Sequence, residues 1–430
     1  MQRESPRGEE LRRSQRGLSS LNLTEAQREY ATKWIRELGG QMLDSALIPE
    51  DLLRLVFREL SRQEETESSI RDQKGNWEWP YSEASIEGAL YVPRLDVAVL
   101  KWAETRGGAK CLSRWPGNRP FAVCLTHDVD FISRRSASLS FVSELARRWR
   151  RGGSGHAYQW AHLFFRNTLK FFAGPILRFR HADEYHCFDT CMDMEAKYGF
   201  KSTFFFFAEH LPAPHMWDCG YSHSDRLQFY GTRVTVRQMM REMLRRGWDV
   251  GLHGSYHAAT DLSALREEKR QVEDSARETI QSIRHHYLHY DARITPSLHE
   301  EAGIKSDSTQ GFNRNIGFRA GTSFPYLCWD HQAQRATDVL EIPMHIMDGA
   351  LFQPNELACN TETAIGNVRT LVDRVAAVGG CLTVNWHPCW LNLHSYRDAY
   401  EFILAETYRR NAWGCGMKQM LNWTQQNSRT

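Results

Sequence analysis

No stretch of the 430-residue sequence supplies the roughly eighteen uncharged apolar residues that a membrane-spanning helix requires. The first twenty residues, MQRESPRGEELRRSQRGLSS, lack the apolar core of a secretory signal. The ten cysteines are scattered, with no CxxC pair and no regular spacing, which argues against a disulfide framework and suits a reducing compartment. Net charge is small, +2 with histidine neutral, so the chain as a whole has no electrostatic reason to seek nucleic acid. These absences predict a cytoplasmic protein whose only membrane role is peripheral, at the inner membrane surface.

What is present is ordered along the chain. Residues 1–20 are polar and Arg-rich with little to bury, and read as a disordered tail. A small, mainly helical N-terminal domain is expected over 21–115. Its helices are predicted from Thr24 to Leu38, with Tyr30, Trp34 and Leu38 on one face, and from Pro49 to Leu60, with Leu52, Leu55, Val56 and Leu60. From 120 to 430, short apolar runs alternate with amphipathic helical patterns. The runs cover 121–126, 202–208, 249–253, 316–321, 339–346 and 381–387, and one helical pattern extends from Leu262 to Ile283. Such alternation implies a parallel sheet. With the reactive side chains at the C-terminal ends of the runs, an α/β fold of irregular or incomplete (β/α) barrel type is expected. Residues 134–182 are an exception, basic and aromatic with Glu144 as their single acid. They read either as a solvated helical hairpin packed on the barrel or as a peripheral membrane or anionic-glycan contact.

Four of these segments carry chemistry. Asp128 and Asp130 in THDVD close an apolar run, and an extended chain would point both carboxylates to one side. Alone, such a pair also fits a turn with local Asx hydrogen bonds. His253 and His257 in HGSYH, read as one helical turn, place two imidazoles on one face at a spacing suited to one metal. The residue after His253 is Gly254, so this is not the zinc-peptidase helix, which needs Glu there. Carboxylate and imidazole are donors that a borderline-soft divalent ion such as zinc accepts, with one carboxylate left for proton transfer. His387 follows Trp386 at the end of the last run, and is read as a general acid or as a buried histidine bonded to backbone. Arg319 is expected to pair with Asp128 and hold it ionised, or else to bridge loops.

Eight words occur in order: THDVD (126–130), STFFFF (202–207), GLHGSYH (251–257), RHHYLH (284–289), DSTQGF (307–312), GFRAGTSFPY (317–326), EIPMHIMDG (341–349) and WHP (386–388). This series resembles the polysaccharide deacetylase family, the carbohydrate esterases that share the nodulation-factor deacetylase homology domain, and within it a bacterial branch with THDVD and HGSYH words. The resemblance spans residues 121–390 and does not extend to the N-terminal part. It implies that Asp130, His253 and His257 form the metal triad, that Asp128 is the catalytic base tuned by Arg319, and that His387 is the proton donor. Tyr326, His286 and Trp386 are the expected substrate-side residues. The chain departs from the usual family opening in having Val129 between its two acids, and from its own branch in ending the RHHYLH word on His289.

The expected activity is metal-dependent removal of an acyl group, acetate above all, from the amide nitrogen of an amino sugar in a cell-surface polysaccharide or its precursor. One divalent ion, zinc by donor type, is the expected cofactor. Hydrolysis of another C–N bond on the same barrel, as in a ureide or cyclic amide, is the nearest alternative. A glycosyltransferase would use the two aspartates but leave HGSYH and His387 idle, and no glycine-rich phosphate loop precedes a helix. A glycan-binding protein without turnover would not need the full set of reactive side chains.

Overall fold

The computed structural model describes residues 22–40, 44–72, 74–77, 80, 82–106, 115–132, 187–209, 215, 218–354 and 356–427. The tail at 1–20 and the basic segment at 134–182 lie outside the described residues. Strands β1 (Ala122–Val129), β2 (Thr203–Phe206), β5 (Asp249–Gly254), β6 (Ser282–His285), β7 (Ser306–Asp307), β8 (Tyr326–Asp330), β9 (Arg335–Glu341), β10 (Ile346–Met347), β11 (Cys381–Asn385) and β12 (Trp413–Cys415) form one sheet. Between β2 and β5, β3 (Arg226–Phe229) and β4 (Thr232–Thr235) make a separate hairpin. The main order is β10-β11-β1-β2-β5-β6-β7-β9-β8, with β12 beside β1, and the sheet curls into an incomplete barrel. Every pairing in it is parallel except β8 with β9.

Alternation along the strands divides the core in two. Val123, Leu125, Phe204, Phe206, Val250, Leu252, Ile283, Leu382 and Val384 pack under the helices Phe188–Ala196, Val236–Arg245, Leu262–Ala276, Thr361–Val378 and His394–Arg409. Ala122, Cys124, Phe205, Leu340, Ile342 and Cys381 face the other way. There they share a core with Tyr30, Trp34, Leu53, Val56, Phe57, Leu95 and Val99 of the N-terminal helices Glu25–Gly39, Glu50–Leu60 and Arg94–Glu104. Thr126 and Asp128 continue this second face towards the C-terminal end of β1.

The helix Glu25–Gly39 starts where its sequence says, because Thr24 and Gln27 form a reciprocal capping box. Two expectations fail. The Leu262 pattern stops as a helix at Ala276, where Arg277 turns left-handed, and Ile283 belongs to β6. Residues 316–321 are loop and not strand: Gly317 and Gly321 adopt φ of 131° and 67°, and a Cβ on Gly317 would meet Leu90 O at 2.5 Å. Among the described residues no helix is long and apolar enough to cross a membrane.

A buried ionic knot ties the N-terminal helices to that loop. Glu65 accepts from Arg319 Nε and Nη2, each at 2.8 Å, and from Arg62 Nε and Nη2 at 2.9 and 2.8 Å. Burial would raise the Glu65 pKa, but Arg319 and Arg62 prevail and hold it at about 2. Glu65→Ala would strand two buried guanidinium groups, so a loss of about 3–5 kcal/mol is expected. Urea unfolding measures it, and a loss below about 1 kcal/mol would show that the two arginines find other partners.

Candidate active site

Asp128 is buried on β1 and both its carboxylate oxygens are engaged. Arg284 Nη1 donates to Oδ1 at 3.1 Å and Asn385 Nδ2 to Oδ2 at 2.7 Å. Arg284 comes from β6 and is fully buried, with Nη1 also reaching Thr126 Oγ1 (2.7 Å), Nε reaching Ser308 O (2.9 Å) and Nη2 reaching Ser308 Oγ (2.7 Å). Burial would push the Asp128 pKa up, yet Arg284 first, then His253 and His387, bring it below the usual carboxylate range. The arginine beside Asp128 is therefore Arg284. Arg319 is spent on Glu65, because the loop that carries it turns towards the N-terminal helices and away from β1.

Asp130, one residue past β1, is ringed by three imidazoles. His253 Nε2 lies 3.2 Å from its Oδ1, while His387 Nε2 and His286 Nε2 lie 3.6 and 3.9 Å from Oδ2. His253 Nε2 is also 3.9 Å from Asp128 Oδ2, so the two aspartates do share a side, as their spacing suggests. Each imidazole has its other nitrogen directed at an acceptor. His253 Nδ1 faces Arg284 O at 2.8 Å, His387 Nδ1 faces Asp348 Oδ1 at 2.6 Å, and His286 Nδ1 faces Asp218 Oδ1 at 3.4 Å. A carbonyl or carboxylate at Nδ1 fixes a proton there, so a neutral ring would turn its Nε2 lone pair inward, the arrangement metal-binding histidines use. Burial raises the Asp130 pKa, but His286, His387 and His253 together drive it far below normal.

His257 is not drawn into this group. The chain reaches it through the end of β5 and a short 3-10 turn at His257–Ala259, so HGSYH is not one helical turn. Its exposed ring packs edge-on against His215, centroids 4.8 Å apart. Near Asp130, donor atoms of Asp130, His286 and Cys219 lie within 4.8 Å of one another. The chemistry of these donors, a carboxylate, imidazoles and a thiol, fits a divalent ion such as zinc.

Two other expectations fail. Trp386 is fully buried, stacked on Tyr400 at 5.4 Å, because strand alternation points its indole into the helix-covered core. Tyr326 opens β8 and is buried in the core shared with the N-terminal helices. Sequence reasoning also missed Arg284, Asn385, Asp348 and Asp218. A charged residue inside the run SIRH was the available signal for Arg284, whereas Asp218 sits in a segment with no periodicity at all. Behind β1 a second buried set fixes the strand: Glu195 accepts from His127 Nε2, Tyr400 Oη, Ser202 Oγ and Trp248 Nε1.

No protein-family model matches the chain, and no curated protein does. Among solved structures it is similar to a Mycobacterium smegmatis protein assigned as a polysaccharide deacetylase, at 17% identity over 74% of this chain and 94% of that one, with a TM-score of 0.46. It is similar to Puue allantoinase, at 12% identity over 74% and 94%, with a TM-score of 0.44. It is also similar to a Pseudomonas aeruginosa PAO1 protein assigned as a polysaccharide deacetylase, at 13% identity over 73% and 93%, TM-score 0.44.

Burial alone would lower the His387 pKa, but Asp348 and then Asp130 overcome it and raise it from 6.5 to about 10. A raised histidine pKa adds stability that is complete below pH 6.5 and is lost as pH rises through about 10. In metal-free protein this alkaline loss should appear in thermal unfolding, and Asp348→Asn should move it to lower pH. An unmoved alkaline limb in Asp348→Asn would mean that Asp348 does not hold the imidazolium.

Proposed function

We propose that the chain is a metal-dependent hydrolase that removes an N-acetyl group from an amino sugar of a cell-surface polysaccharide or its precursor. The observation that carries this reading is the pairing of two differently dressed carboxylates: Asp128 on a buried arginine, Asp130 among three imidazoles. Asp130 and His253 would hold the ion, with His286 or His257 completing the set. A divalent ion there would acidify water and polarise the scissile carbonyl.

The remaining chemistry belongs to the chain. Asp128 stays ionised because Arg284 and Asn385 neutralise and orient it, and each oxygen keeps a lone pair for a proton from the attacking water. His387 is held protonated and aligned by Asp348, which also accepts from the His387 backbone N–H at 2.8 Å. It can therefore deliver a proton to a departing amine, which leaves poorly without one. Three of the sequence words thus contribute Asp128, Arg284 and His387 to one cluster around the two aspartates.

Two experiments test the reading. Purified protein should remove an acetyl mass from at least one N-acetylated sugar, nucleotide sugar or lipid-linked glycan, and Asp128→Asn should lower that rate by roughly two to four orders of magnitude while retaining metal. Turnover only of a ureide or cyclic amide by the same Asp128 would move the substrate to another C–N bond. Elemental analysis should show metal lost in Asp130→Ala and His253→Ala. Comparison of His257→Ala with His286→Ala then identifies the third ligand, and unchanged metal in all four variants would sink the site.

A further inference from the structure

His286 reaches Asp130 from an unusual backbone. It precedes two consecutive non-glycine residues in the left-handed region, Tyr287 at φ 54° and Leu288 at φ 53°. Each such residue is costly and persists only when its surroundings over-determine it. Here those surroundings come from a part of the chain more than two hundred residues away. Asn76 Nδ2 donates to Tyr287 O at 2.8 Å across a separation of 211 residues, and Asn76 Oδ1 faces His289 Nδ1 at 2.9 Å. A second amide, Asn313 Nδ2, donates to the same Tyr287 carbonyl at 2.6 Å. Lys74 Nζ sits 3.2 Å from the centre of the Tyr287 ring, and the Lys74 carbonyl accepts from Tyr256 Oη at 2.8 Å. Tyr256 in turn stacks on His289 at 3.9 Å.

The segment 74–77 is tied to Asp72. Asp72 Oδ1 accepts from the backbone N–H groups of Lys74 and Asn76, both at 2.8 Å. Gly75 has φ +77°, and a Cβ there would lie 3.2 Å from Tyr256 Oη and 3.6 Å from His289, so the segment passes close to both. Buried Trp77 anchors its far end, lying 5.7 Å from Arg62 and 5.8 Å from Arg319, the two arginines that share Glu65.

We propose, on the hydrolase reading above, that Asn76 is a positioning residue for the active site, acting from the N-terminal region through the Tyr287 carbonyl and His289 to aim His286 at Asp130. The N-terminal region is then part of the catalytic apparatus, and the loop at 286–289 is held in its strained form by two side-chain amides.

The test is Asn76→Ala in the full chain, alone and combined with His286→Ala. Amide hydrogen exchange at 285–289 should accelerate, while that of β1 and β11 stays as in the wild type. On the acetylated substrate kcat/KM should fall by about tenfold to a hundredfold, the scale of one or two lost hydrogen bonds. In the His286→Ala background the same substitution should cost no more than about twofold, because nothing remains for Asn76 to aim. Equal losses in both backgrounds, or unchanged exchange at 285–289, would overturn the proposal. If Asn76→Ala does not fold, Asn76→Asp carries the same arms, since it keeps the acceptor for His289 and sets a carboxylate oxygen against the Tyr287 carbonyl in place of the donor. Should no substrate be turned over, the exchange arm still decides the role of Asn76, while the hydrolase reading fails by itself.

Discussion

The arrangement of this site rests on one buried guanidinium. Arg284 is fully enclosed within the sheet and reaches from β6 to Thr126 and Asp128 of β1 on one side and to Ser308, just past β7, on the other. A charge so placed has given up its water, which costs several kcal/mol unless every donor is answered. The answers it receives fix three strands in relative height. They also make Asp128 a carboxylate that remains ionised while buried, so the sheet can hold a negative charge there without hydrating it.

Around that fixed point the two aspartates take different characters. Asp128 is neutralised from below by a permanent cation and an amide. Asp130, two residues further on and partly open, is ringed by imidazoles, groups that can exchange a proton for a metal. The end of β1 therefore presents one carboxylate balanced by a permanent cation and another balanced by titratable imidazoles. Separation of roles within a two-residue spacing follows from which neighbouring strand each side chain meets.

Much of this was legible in the sequence, because a strand ending in a reactive residue leaves little freedom. Asp128, Asp130, His253 and His387 all close apolar runs, and all four meet. Some failures come from side-chain direction, which depends on where a strand stops, and others from long-range ties to a loop. β5 runs one residue further than its apolar pattern, and His257 lies in the short 3-10 turn that follows and not on a helix. Trp386 lies one position from His387 and so faces the opposite way. Arg319 lies within, and Tyr326 just after, a glycine-punctuated loop tied to Glu65 and Asp96, residues that no local pattern connects to it. Asp96 accepts from Thr322 Oγ1 at 2.5 Å and from the Ser323 backbone at 2.8 Å. The helices were clearer where a cap marked them, as at Thr24, than where a long apolar periodicity crossed from helix into strand, as at Ile283.

The strand order carries a further consequence, for the history of each molecule during synthesis. β1 is made early, but its neighbour β11 is made late, and the hydrogen bond between His127 and Trp386 closes 259 residues of chain. At ordinary translation speeds that interval is on the order of ten seconds to a minute. For all of it one edge of β1, which is apolar over much of its length, stays without its parallel partner, and parallel pairing over so long a loop is intrinsically slow. A ribosome-bound or C-terminally shortened product would therefore hold Asp128 without the Asn385 amide and present an open strand edge to other chains. Quality control acting on the nascent chain, and not thermodynamic stability of the finished one, is where such a topology is most exposed.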